Sequence, residues 1–208
     1  MGLIGLLANG FLVFVVAFAA SVFGLVVHNL AQAWLADRYG DSGPRRYGFL
    51  TLEPRVHLDP LGLLLLLLLG FGWPRFVPFR VLRGNREAWV ALMGPVGFLL
   101  AAFVYLLISA LLPRTLALDQ VGLGLQFAAL IMVRHAAVYL FPVPPLDGAR
   151  ALYAVGGYEV RRFLDRIGSY GPIGFLVIFL VLSFTGFLGA VERGLLGLLL
   201  DALRALGL

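Results

Sequence analysis

Four long apolar stretches, at about residues 3–36, 88–112, 121–141 and 171–190, restrict what this chain can become. Each is near or above the ~20 residues that a helix needs to cross a hydrocarbon layer. No water satisfies backbone N–H and C=O groups in lipid, so a crossing stretch must close its own hydrogen bonds, and a single segment does that as an α-helix. A fifth stretch, Leu61 to Trp73, is apolar but short, and Pro60, Gly62, Gly70, Gly72 and Pro74 punctuate it. It reads as a re-entrant or interfacial segment. With 61% hydrophobic and 13% charged residues, the chain lies far from the roughly 25% charged content of a soluble domain. The expectation is one all-α integral membrane domain over residues 1–208, with about four spanning helices. Residues Tyr47 to Leu52, between turn-forming clusters, are expected to form a short interfacial strand.

All 16 basic residues are Arg, and they cluster beside the apolar stretches: Arg38, Arg45, Arg46 and Arg55; then Arg75, Arg80, Arg83 and Arg86; then Arg150, Arg161, Arg162 and Arg166. The loop near residues 113–120 carries only Arg114 and Asp119. Arginine-rich loops stay on the cytoplasmic side, so residues 37–57, 75–87 and 142–170 are expected there in a multi-pass protein of the inner (plasma) membrane. Both termini then lie outside, and residues 58–74 must enter and leave on one side. The net charge of +5 is thus a topology signal in contact with lipids, and no nucleic-acid partner is expected. The N-terminus lacks a basic region, and its apolar run is too long for a cleaved leader. The absence of Cys excludes disulfides, thiolate metal sites and cysteine nucleophiles.

Two polar segments interrupt this pattern: His28-Asn29-Leu30-Ala31-Gln32 near the end of the first stretch, and Pro144-Pro145-Leu146-Asp147-Gly148 after the third. The topology brings His28 and Asp147 to the same cytoplasmic depth from positions more than a hundred residues apart. On a metalloprotease helix reading H-E-x-x-H, two histidines one turn apart hold zinc and the Glu activates water. Here Asn29 stands at the Glu position and Gln32 at the second His position. A neutral carboxamide cannot take a proton from water, and its oxygen is a poor zinc ligand beside imidazole.

In order and spacing, His28 to Gln32, Gly48 to Pro54 leading to His57-Leu58-Asp59-Pro60-Leu61-Gly62, Met93-Gly94-Pro95, and Pro142 to Gly148 resemble the site-2 protease family of intramembrane zinc metalloproteases. The resemblance covers nearly the whole chain. It implies a helical core with zinc held near the cytoplasmic side and hydrolysis of peptide bonds in transmembrane helices. It also implies His28 and Asp147 as residual metal ligands, with Gln32 at the position of the lost second His, and a substrate cavity around Gly94, Pro95, Phe98, Tyr139, Pro144 and Pro145. Phe98 and Tyr139 stand where the family has asparagines.

Four departures around one site point to a pseudoprotease that binds transmembrane helices of clients or a partner protease, with zinc absent or weakly held. The alternative is an active zinc endopeptidase in which His57 or His135 replaces a lost ligand. Against that, His57 can cap an interfacial turn and His28 can simply hydrogen-bond Asp147, while Asp147 can serve as a helix N-cap. Arg134 either snorkels to the interface or pairs with Asp147 as its counter-charge. Ser169 lacks the context of a serine protease, no phosphate-binding glycine loop is present, and no internal repeat suggests a transporter.

Overall fold

The computed structural model describes residues 2–79 and 82–208, excluding the side chains of Pro172, Ile173, Phe175 and Leu176; Arg80 therefore lies outside the described residues. The first apolar stretch divides at Gly10, whose φ of 122° breaks the helix. A 3-10 turn, Leu3–Asn9, precedes helix α1, Phe11–Arg38. Two short turns of helix, α2 (Gly43–Arg46) and α3 (Pro54–His57), lead to α4 (Pro60–Leu69). Then follow α5 (Asn85–Leu111), α6 (Leu116–Tyr139), α7 (Asp147–Val155), α8 (Tyr158–Ser169), α9 (Gly171–Phe184) and α10 (Phe187–Ala205).

Helices α1, α5 and α6 are long and apolar enough to cross a membrane, and they form the core. Small residues let their backbones approach. A side chain added at Gly24 would enter Met132, and one at Gly124 would lie 2.9 Å from the Val13 carbonyl. These contacts set α6 parallel to α1. Helix α5 runs the other way, since Tyr105 Oη donates to the Ala20 carbonyl at 2.7 Å while Gly94 sits beside His28.

The segment expected to be re-entrant returns to its starting point. Asp59 caps α4 by accepting from Gly62 N at 2.8 Å, and ten residues at 1.5 Å each reach only about half of the ~30 Å hydrocarbon core. Gly70, at φ 73°, ends the helix, and the chain comes back extended. Leu58 and Pro74 then lie side by side as an isolated antiparallel bridge, with Arg75 N donating to His57 O at 2.6 Å. Gly62 and Gly72 meet backbone to backbone, so neither tolerates a Cβ. Gly72 N donates to His135 Nε2 at 3.2 Å, and His135 Nδ1 donates to Ile131 O at 2.7 Å. His135 is therefore neutral and occupied: it satisfies a buried N–H at the returning end of the loop and is no substitute metal ligand.

Two sequence expectations need correction. Residues Tyr47 to Leu52 form turns, not a strand, because Gly48 takes φ 81° and Phe49 N donates back to Pro44 O at 3.0 Å, burying Phe49. The final apolar stretch is not one straight span either. Helix α9 stops at Phe184, and the chain turns at Gly186 (φ 73°) into α10, with a bend of 70° between the halves. Among the described residues, three helices are long and apolar enough to cross a membrane, or four if this bent pair is one broken span.

Candidate functional site

His28 and Asp147 meet at the end of α1 nearest the arginine-rich loops. His28 Nε2 lies 2.8 Å from Asp147 Oδ2, and both residues are buried. Asp147 is the first residue of α7 and caps nothing with its side chain, so its carboxylate is spent on His28 and not on the helix terminus. The imidazole packs against Phe98 (ring centroids 4.4 Å apart) and edge-on against Tyr139 (5.1 Å). A Cβ at Gly94 would collide with His28 Nε2, Asp147 Oδ2 and Gln32 Nε2 together. Only glycine lets α5 pass under the three side chains.

The two carboxamides are engaged elsewhere. Pro95 has no N–H, so the Ala91 carbonyl one turn earlier loses its helical partner. Gln32 Nε2 donates to that carbonyl at 3.0 Å, which presents a donor nitrogen, not a ligand, toward Gly94. Asn29 Nδ2 donates to Arg75 O at 2.9 Å and at 3.4 Å to His57 O. Those two carbonyls orient the amide, so Asn29 Oδ1 faces His28 Nδ1 at 2.9 Å. Both ring nitrogens of His28 thus face acceptors. Nδ1–H donates to Asn29 Oδ1, and the short Nε2–Asp147 contact is filled by a proton, on either partner, or by a cation.

A structural or catalytic zinc needs at least three protein ligands. His28 and Asp147 supply two, and among the described residues no group of three His, Cys, Asp or Glu side chains comes together. His57 is no third member: its Nε2 donates to Thr51 O at 2.8 Å, and its ring packs edge-on against Phe49. Burial, which outweighs the bond to Thr51, lowers the His57 pKa, and His28 adds to the effect. The donor set does not fit the family's zinc site. Arg134 does not pair with Asp147 but with Glu192 of α10, at 3.0 Å, because its side chain leaves α6 on the side facing α10.

A cavity of about 660 Å³ opens in front of the pair. Tyr139, Pro144 and Pro145 line it, together with His28, Asn29, Gln32 and Asp147. Gly94, Pro95 and Phe98 do not: Gly94 and Phe98 pack behind His28 as its support, and Pro95 is buried within α5. The opposite wall, absent from the sequence reading, comes from Phe71, Trp73 and the extended residues Pro74 to Val77. Its signal was Pro74-Arg75-Phe76-Val77-Pro78, two prolines four apart that exclude helix and hold the chain extended. Arg150, one turn beyond Asp147, was also missed. Burial lowers its pKa, with Glu87 the largest opposing influence.

These features define a polytopic membrane protein with a buried His–Asp pair between its helices and a cavity before it. The chain is 36% identical over 169 residues to "Putative zinc metalloprotease YwhC" of Bacillus subtilis, covering 76% of this chain and 77% of that protein. It is 30% identical over 188 residues to "Putative zinc metalloprotease Rip2" of Mycobacterium tuberculosis (86% and 72%) and 30% identical over 179 residues to the Rip2 of Mycolicibacterium smegmatis (82% and 67%). No family model and no solved structure matches it. The chain belongs to the site-2 protease family of zinc metalloprotease homologues.

Proposed function

We propose that this protein is a pseudoprotease of the site-2 family, which holds transmembrane segments of clients or of a partner protease in the His28 cavity without cutting them. The observation that carries this is Asn29. It stands where a general base is needed, cannot accept a proton from water, and has both ends of its amide bound, to His28 and to the Arg75 carbonyl. The cavity's apolar wall of Phe71, Trp73 and Phe76 suits a lipid-embedded segment. The arginine distribution supports a plasma-membrane protein with this cavity near the cytoplasmic side.

One observation favours an active zinc endopeptidase instead. With Nδ1 protonated toward Asn29, the Nε2 lone pair of His28 points at the Asp147 carboxylate, a two-donor start of a metal site, and the relatives are named as zinc metalloproteases. Metal content and cleavage separate the readings. Detergent-purified protein should carry far less than one zinc per chain and leave reporter transmembrane substrates intact when zinc is added. The double variant Asn29→Glu, Gln32→His should gain zinc toward one per chain, while giving up the bonds to Arg75 O and Ala91 O. Zinc-dependent cleavage by the parent, abolished in His28→Ala, would overturn the proposal.

A further inference from the structure

The extended segment Arg75 to Phe79 crosses the front of the cavity with few backbone partners. At one end Arg75 is tied to α1 and to the α3 turn, through Asn29 Nδ2 and its own N–H. At the other, Val77 and Phe79 are buried in an apolar cluster with Phe49 and Val90, and Arg150 adds a polar hold. Arg150 Nη2 donates to Phe79 O at 2.6 Å. The guanidinium carbon sits 3.3 Å from the centre of the Phe79 ring and 4.6 Å from that of Phe76. Its Nε lies 3.6 Å from Glu87 Oε1 at the start of α5. One half-buried cation thus joins α7, α5 and the extended segment. Between the two anchors stand Phe76, exposed and lining the cavity, and Val77, 1% exposed and packed inward. A second groove, lined by Arg150, Tyr153 and Leu164, meets the cavity at Phe76, Pro144 and Pro145.

We infer that Arg150 is a positioning residue: it clamps Arg75–Phe79 as a strap across the cavity and sets the width of the passage between Phe76 and Pro145. An arginine suits this task because its planar group stacks on the rings while its edge donates to a carbonyl. A lysine would keep the charge beside Glu87 but lose the stack and the directed bond. The inference rests on the cavity reading above only for what the strap encloses, and it holds with or without metal.

The absence of native Cys allows a direct test in detergent-purified protein. Val77→Cys reports the strap, and Ala128→Cys, fully buried in α6, reports the helical core. Arg150→Ala should raise maleimide labelling at position 77 roughly tenfold or more, the scale set by losing a hydrogen bond to a charged group, while position 128 stays protected. Millimolar guanidinium should restore protection at 77, and methylammonium should not. Unchanged labelling at 77, or failure of guanidinium to restore it, would overturn the assignment. If Arg150→Ala exposes both positions, Arg150→Lys decides. Exposure at 77 alone supports the clamp. Parent-like protection at 77, or exposure at 128 as well, refutes it. Zinc content, the test of the pseudoprotease reading, is unaffected by either result.

Discussion

Replacing Asp147 by Asn and His28 by Ala should have very different costs, and the difference reports what lies between the two side chains. In His28→Ala the Asp147 carboxylate, 8% exposed, loses its side-chain partner at hydrogen-bond distance, and the ring is removed from between Phe98 and Tyr139. Removing one member of a buried charged pair costs about 3–5 kcal/mol. In Asp147→Asn the carboxamide can turn its NH₂ toward Nε2 of a neutral His28, whose Nδ1 proton Asn29 Oδ1 retains. Charge leaves both partners together and one hydrogen bond replaces another, so the loss should be about 1 kcal/mol or less. The assay is reversible unfolding in mixed detergent followed by far-ultraviolet circular dichroism, with and without a chelator, at matched protein concentration. If a divalent cation sat at Nε2, Asn would lose an anionic ligand. Asp147→Asn would then be as damaging as His28→Ala, and the chelator would destabilise the parent. Equal losses in the two variants, or chelator sensitivity, refutes the proton-held pair.

Two further outcomes follow from the fold. Single cysteines beside Arg45, Arg83 and Arg162 should label from the cytoplasmic side and one beside Arg114 from the other; opposite labelling near Arg45 and Arg83 would break the re-entrant hairpin that the Leu58–Pro74 bridge implies. His135→Phe should cost about 1–3 kcal/mol by leaving the buried Gly72 N–H unpaired, and hydrogen exchange at Gly72 should accelerate before that of α6; unchanged exchange would show that His135 does not hold the loop.

The sequence by itself determined the three long helices, because in lipid a run of twenty apolar residues can satisfy its backbone only as a helix. It also determined the short hairpin between them, from proline and glycine punctuation, while arginine placement gave His28 and Asp147 a common depth and the family resemblance a common site. What it left open are matters of which unpaired group finds which. Pro95 strips a partner from the Ala91 carbonyl, and Gln32, 59 residues away, supplies one. Arg75 and Phe79 present carbonyls on an extended segment, and Asn29 and Arg150 take them from 46 and 71 residues away. Glu192, not Asp147, answers Arg134. Gly186 bends the last apolar stretch by local backbone geometry that hydropathy does not register. A periodic apolar pattern encodes which face is buried, but a buried amide or guanidinium goes to whatever orphaned carbonyl the packed helices leave within reach, and only the tertiary structure decides that.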